Sequence, residues 1–145
     1  MASVRKSVLL PYSAERMYAL VEGIEAYPQF IPWCGNAQML ERVENRSTAR
    51  LLIDYRGVRH HFTTANEHQP SERIRISLVD GPFRRLDGEW RFSPLLADAC
   101  KVELDLHYEF KTGALERLVG PVFAHIANSF VDAFTKRAEM LYSSN

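Results

Sequence analysis

The chain has 145 residues with 46% hydrophobic and 25% charged side chains, an ordinary globular balance that excludes disordered, collagen-like and low-complexity classes. Its 18 Lys and Arg offset 18 Asp and Glu, so no net field draws the whole surface to a phosphate backbone, and DNA binding is not expected. Cys34 and Cys100 stand far apart without a second Cys or His at ligand spacing, which argues against a disulfide framework or a zinc site. No secretory leader or long apolar span is visible, so a cytoplasmic setting is expected.

Val4 to Leu10 reads as a first strand stopped by Pro11. Ser13 is then an N-cap, and Met17, Leu20 and Val21 give a short amphipathic helix that Gly23 terminates. A second short helical piece is expected over Ile24 to Phe30. Pro28 and Pro32 bracket Phe30 and Ile31, with Tyr27 and Trp33 just outside, which makes this aromatic segment a candidate lid.

From Asn36 the hydrophobic period is two. Ala49, Leu51, Ile53 and Tyr55 alternate with polar positions up to a turn at Gly57, and a strand follows over about His60 to Glu67. Ile74, Ile76 and Leu78 alternate next, as far as the break at Asp80-Gly81-Pro82. Leu86, Gly88, Trp90 and Phe92 form another strand, and Val102, Leu104, Leu106, Tyr108 and Phe110 the last. Leu115, Leu118, Val119, Val122, Phe123, Ile126, Phe130, Phe134 and Leu141 then trace the stripe of one long C-terminal helix, which Gly120-Pro121 should kink or restart. The expected fold class is α+β: residues 1–145 form one domain, a curved antiparallel sheet of about six to seven strands around a long C-terminal helix, with two short helices after the first strand.

The runs Pro11-Tyr12-Ser13-Ala14-Glu15, Glu25-Ala26-Tyr27-Pro28-Gln29-Phe30-Ile31-Pro32-Trp33-Cys34, Gly81-Pro82-Phe83-Arg84-Arg85-Leu86-Asp87-Gly88-Glu89-Trp90 and Gly120-Pro121-Val122-Phe123 through Lys136-Arg137-Ala138 resemble, in this order, the coenzyme Q-binding START-like family, which includes a bacterial ribosome-association toxin branch. The resemblance covers essentially the whole chain. It implies the helix-grip (START/Bet v 1-like) fold, with a cavity for a lipid or quinone between sheet and helix. Many relatives carry a polyketide cyclase/dehydrase label, which implies fold more than chemistry.

The aromatic positions Tyr27, Phe30, Trp33, Tyr55, Phe62, Trp90, Tyr108, Phe123 and Phe130, together with Leu78, Gly88 and Ile126, are the expected cavity wall. Tyr55 and Tyr108 are the expected hydrogen-bond donors to a ligand head. Each aromatic is also a candidate for plain core packing. His60 and His61, adjacent in a strand, face opposite sides and cannot chelate one metal, and no nucleophile elbow, paired carboxylates or phosphate loop is visible, so neither a catalytic residue nor a metal is expected. His68, His107 and His125 read as solvated or hydrogen-bonded. Arg137 falls near the apolar stripe and must either snorkel to solvent, the ordinary behaviour of such an arginine, or pair with a carboxylate, for which Glu15 or Glu22 are the candidates. Arg84, Arg85, Arg56 and Arg59 are a candidate basic patch for ribosomal RNA or phospholipid heads.

The preferred functional expectation is a non-enzymatic carrier or chaperone for a ubiquinone-like lipid that supports respiration, with the lipid as bound ligand, no required cofactor, and transient contact at the inner membrane surface. The alternative is a translation inhibitor that binds the large ribosomal subunit and blocks its joining to the small one. A cyclase or dehydratase is the third reading.

Overall fold

The structure is a computed structural model and describes residues 2–143. Its strands are β1 (Ala2–Leu10), β2 (Cys34–Val43), β3 (Arg46–Tyr55), β4 (Val58–Gln69), β5 (Arg73–Asp80), β6 (Phe83–Leu96) and β7 (Ala99–Phe110). Helix α1 spans Ala14–Glu22, a 3₁₀ helix spans Ile24–Gln29, and α2 spans Gly113–Tyr142. All strand pairs are antiparallel in the order β1-β7-β6-β5-β4-β3-β2, so the meander from β2 to β7 is closed by β1 returning to the far edge. This is the expected α+β helix-grip architecture.

Local chemistry explains the boundaries. The Ser13 hydroxyl accepts from the Arg16 N–H at 3.2 Å and Thr112 accepts from the Leu115 N–H at 3.1 Å, each capping a helix start. The β3–β4 turn holds Arg56 and Gly57 at φ 49° and 82°, the left-handed pair that a two-residue hairpin needs to match strand twist. Gly35 sits at a bulge of β2, where the register slips between Cys34 and Asn36.

The core lies between the sheet's inner face and α2. Val102, Leu104 and Leu106 point inward from β7, and Val119, Phe123, Ile126 and Phe134 meet them from the helix. Of the two expected outcomes at Gly120-Pro121, a restart does not occur: α2 is one continuous helix across them. Pro121 removes one backbone bond, but its ring is exposed while Val119 and Phe123, on either side, are 0% and 3% exposed and hold the helix on the sheet. Among the described residues no helix is long and apolar enough to cross a membrane.

Candidate functional site

Between α2 and the sheet lies a cavity of about 70 Å³. Val21, Ile24, Tyr27 and Trp33 form one wall, Ala49, Leu51, Phe62, Ile74, Ile76, Leu86, Trp90 and Leu106 the sheet side, and Phe123, Ile126, Ala127 and Phe130 the helix side. This volume matches that of roughly two waters and falls well below the roughly 300 Å³ of a typical ligand pocket, so a lipid enters only if a wall moves outward.

Polar groups gather at one end. Ser47, Thr64, Asn66 and His68 are all buried, and Thr64, Asn66 and His68 face the cavity. Ser47 pairs with Asn66 across the β3–β4 ladder, Ala49 with Thr64 and Leu51 with Phe62, so the wall turns from apolar to polar within three rungs. His68 Nε2 lies 2.8 Å from Ser47 Oγ and Nδ1 lies 3.1 Å from the Tyr18 hydroxyl, which comes from α1. The Thr64 hydroxyl donates to Asn66 Oδ1 at 3.2 Å, and Asn66 Nδ2 donates to Ser47 Oγ at 3.5 Å. Burial first, and then the Arg42 charge, push the His68 pKa below its ordinary value, with Glu22 opposing, so the imidazole is neutral at pH 7. Glu22 also lines the cavity and binds Arg42 of β2 at 2.6 Å.

The structure brings Tyr27, Trp33, Phe62, Trp90, Phe123, Ile126 and Phe130 to the cavity wall and leaves the other expected residues off it. Phe30 stands behind the wall, edge-on to Tyr27 and Phe134 and under the Arg137 guanidinium, 5.0 Å from its ring. The expected donor Tyr55 instead stacks on His125 at 5.5 Å, and the Arg56 guanidinium lies over its ring at 5.0 Å. Tyr108, the other expected donor, is held among Phe83, Phe110 and Phe123. Leu78 is half-buried and packs against the core, pairing with Thr64 in the same inward phase as Ile74 and Ile76, but it stands at the end of that run, just before the register shift, and does not reach the cavity wall. Gly88 opens no space, because Leu106 leans over it. Donors and acceptors come instead from Thr64, Asn66 and His68. Their signal in the sequence is a run of polar residues continuing the inward phase of Phe62 along β4.

The expected lid segment is packed, with Tyr27, Ile31 and Trp33 only 4%, 2% and 3% exposed. The Tyr27 hydroxyl donates to the Val21 carbonyl, and burial raises its pKa. Arg137 does not meet Glu15 or Glu22; it donates to Gln29 Oε1 at 3.2 Å, because Glu22 is taken by Arg42. Of the candidate basic patch, Arg84 binds Glu109 at 2.9 Å and Arg59 binds Asp54 at 2.8 Å, so half of its charge is spent locally. Arg85 is exposed and joins no salt bridge among the described residues. His107 pairs with Asp105 on the outer face, and no cluster of metal-ligating side chains occurs among the described residues.

A curved antiparallel sheet gripping one long helix defines the helix-grip class of protein, and sequence comparison agrees. Residues 10–135 match the family described as polyketide cyclase/dehydrase and lipid transport, and the chain belongs to it. It is 40% identical over 99% of its length to Ribosome association toxin RatA of Escherichia coli strain K12, covering 91% of that protein. It is 29% identical over 94% of its length to the mitochondrial Coenzyme Q-binding protein COQ10 homolog B of Xenopus laevis, covering 58% of that protein. Among solved structures, a START superfamily protein from Mycobacterium smegmatis superposes with TM-score 0.77 at 28% identity, covering 96% of this chain and 98% of that one. The Zhui aromatase/cyclase from Streptomyces superposes with TM-score 0.84 over 99% of this chain and 98% of that one; at 15% identity this likeness is one of fold.

Proposed function

We propose that this chain binds a ubiquinone-like isoprenoid lipid between its sheet and α2 and carries it without chemically changing it. The observation that supports this reading is the cavity itself, apolar over most of its wall and polar at one end only. An isoprenoid tail asks only for shape, whereas ring oxygens ask for hydrogen bonds. The relative named as coenzyme Q-binding supports the same ligand class. The lipid is then cargo, the protein works in the cytoplasm, and it touches the membrane surface only while exchanging its load. Organic extraction of the purified protein followed by mass spectrometry tests this, with a polyprenyl quinone as the expected result. A lipid-free extract, together with no binding of added quinone, would overturn it.

A second reading, binding of the large ribosomal subunit, is supported by the 40% identity to a protein named for ribosome association. Arg85 and Arg56 are the exposed arginines of the candidate patch that join no ion pair among the described residues, Arg56 lying over the Tyr55 ring, and Arg84 adds its charge when its pairing with Glu109 breaks. Cosedimentation with large subunits that weakens as salt rises is the expected result of this reading, because phosphate contacts release counterions. Cosedimentation that is absent or insensitive to salt removes it.

A further inference from the structure

We infer that the cavity selects lipids with an uncharged, oxygen-bearing head and rejects those with anionic heads, the head seating at Asn66 and Thr64 while the Glu22 carboxylate repels negative charge. This rests on the reading of the cavity as a ligand site and adds the class of head group it accepts.

Hydrogen-bond accounting at the polar end comes first. Both His68 ring nitrogens are engaged, one by Ser47 and one by Tyr18. Asn66 Nδ2 carries two hydrogens, and the contact to Ser47 uses one of them. Thr64 donates its only hydrogen to Asn66 Oδ1, which leaves its oxygen lone pairs as acceptors. The spare capacity facing the cavity is therefore one N–H donor beside one hydroxyl acceptor. A ring carbonyl takes the donor, and a phenol or alcohol takes both.

Charge decides the rest. Among the described residues, Glu22 is the only acidic or basic side chain other than neutral His68 that lines the cavity. The nearest cation, Arg42, already binds it at 2.6 Å. A carboxylate or phosphate head would thus be desolvated beside a like charge with no free cation to meet it, the costly arrangement for a buried anion.

Four probes sharing a decyl tail isolate the head: a decyl benzoquinone, decan-1-ol, decanoate and decyl phosphate, with binding at pH 8 followed by titration calorimetry. The quinone and the alcohol are expected to bind at least about tenfold tighter than either anion, a margin that desolvating an anionic head with no cation free to meet it supplies. In Glu22→Gln the anions should gain about tenfold relative to the quinone. The pair is surface-accessible on one side, so this variant is expected to fold. Asn66→Leu should weaken the quinone and leave the ranking of the anions as it was. If anions bind as well as the quinone and Glu22→Gln alters nothing, the selectivity is overturned while the cavity remains a lipid site. If no probe binds the folded protein, it is the lipid reading that fails.

Discussion

A Cβ placed on Gly88 would stand 2.8 Å from Leu106 Cδ1 and 2.8 Å from the Asp105 carbonyl oxygen. The glycine therefore admits Leu106 to the inner face and keeps β6 and β7 in close approach, and it adds no ligand space. Gly88→Ala is expected to cost about 1–3 kcal/mol, since a main-chain oxygen cannot step aside as a side chain can. Urea unfolding measures this. Quinone affinity of the folded fraction should be unaffected, and an unchanged unfolding midpoint would show that the strands relax freely.

Alternation and capping made most of the fold legible in the sequence. Ser13, read as a cap, does bond the N–H of the third residue on, and the inward phase of β7 is unbroken from Cys100 to Phe110. The pairing of β1 with β7 was not legible, because a strand next to its chain-order neighbour and one at the far edge have the same alternation. The site was read through its aromatic residues, which found the wall but not the polar end. Ser47 and His68 are 21 residues apart and become partners only through the β3–β4 register. Tyr55 and Tyr108 were read as donors from their hydroxyls, but neither lines the cavity: Tyr55 stacks on His125, and Tyr108 packs edge-on against Phe123.

His68 gives the fold a pH dependence of definite sign. Its folded pKa is depressed, so at pH values below the ordinary histidine value the unfolded chain binds more protons than the folded one. Stability is then fully present above that value and falls as pH drops through it towards the folded pKa. The charges facing the ring are Arg42, which lowers its pKa, and Glu22, which raises it. Comparing urea midpoints at pH 7.5 and 5.5 for wild type and His68→Gln tests this. The wild type should lose more stability than the variant on acidification, and equal losses would assign the effect to other groups.

Both thiols are predicted to be inert in the folded protein. Cys34 donates to the Asn36 carbonyl at 3.3 Å and burial pushes its pKa up to about 11, while Cys100 is 0% exposed and is raised by burial as well. A thiol held above neutrality is poorly nucleophilic. Maleimide labelling should therefore be slow under native conditions and rise with the unfolded fraction in urea. Rapid native labelling of Cys34 would mean that the segment before β2 opens on its own.

Enlarging the cavity requires part of its wall to move, and the segment from Tyr27 to Trp33 is the candidate, anchored to the sheet at its end, where the Asp54 N–H of β3 donates to the Trp33 carbonyl at 2.8 Å. Its rings hold it shut: Tyr27 meets Phe134 at 5.3 Å, Trp33 meets Phe130 at 5.6 Å, and Phe30 braces Tyr27 and Phe134 from behind at 6.0 Å and 5.4 Å. Exposing even about 100 Å² of this apolar surface costs about 2.5 kcal/mol at 25 cal/mol per Å², enough to keep the closed form dominant. Phe30 touches the lid and not the cavity, so removing it weakens closure without altering the contacts lining the site. Phe30→Ala should then speed quinone release by up to about tenfold, the equivalent of losing about 1.4 kcal/mol of closed-state contact, without slowing uptake. Stopped-flow transfer to and from vesicles gives both rates. In a Trp90→Phe background Trp33 is the remaining indole, and a quinone in the cavity should quench its emission. Wild-type release from Phe30→Ala, with no quenching of Trp33, would mean that these rings serve as fixed core and that a ligand enters by some other wall.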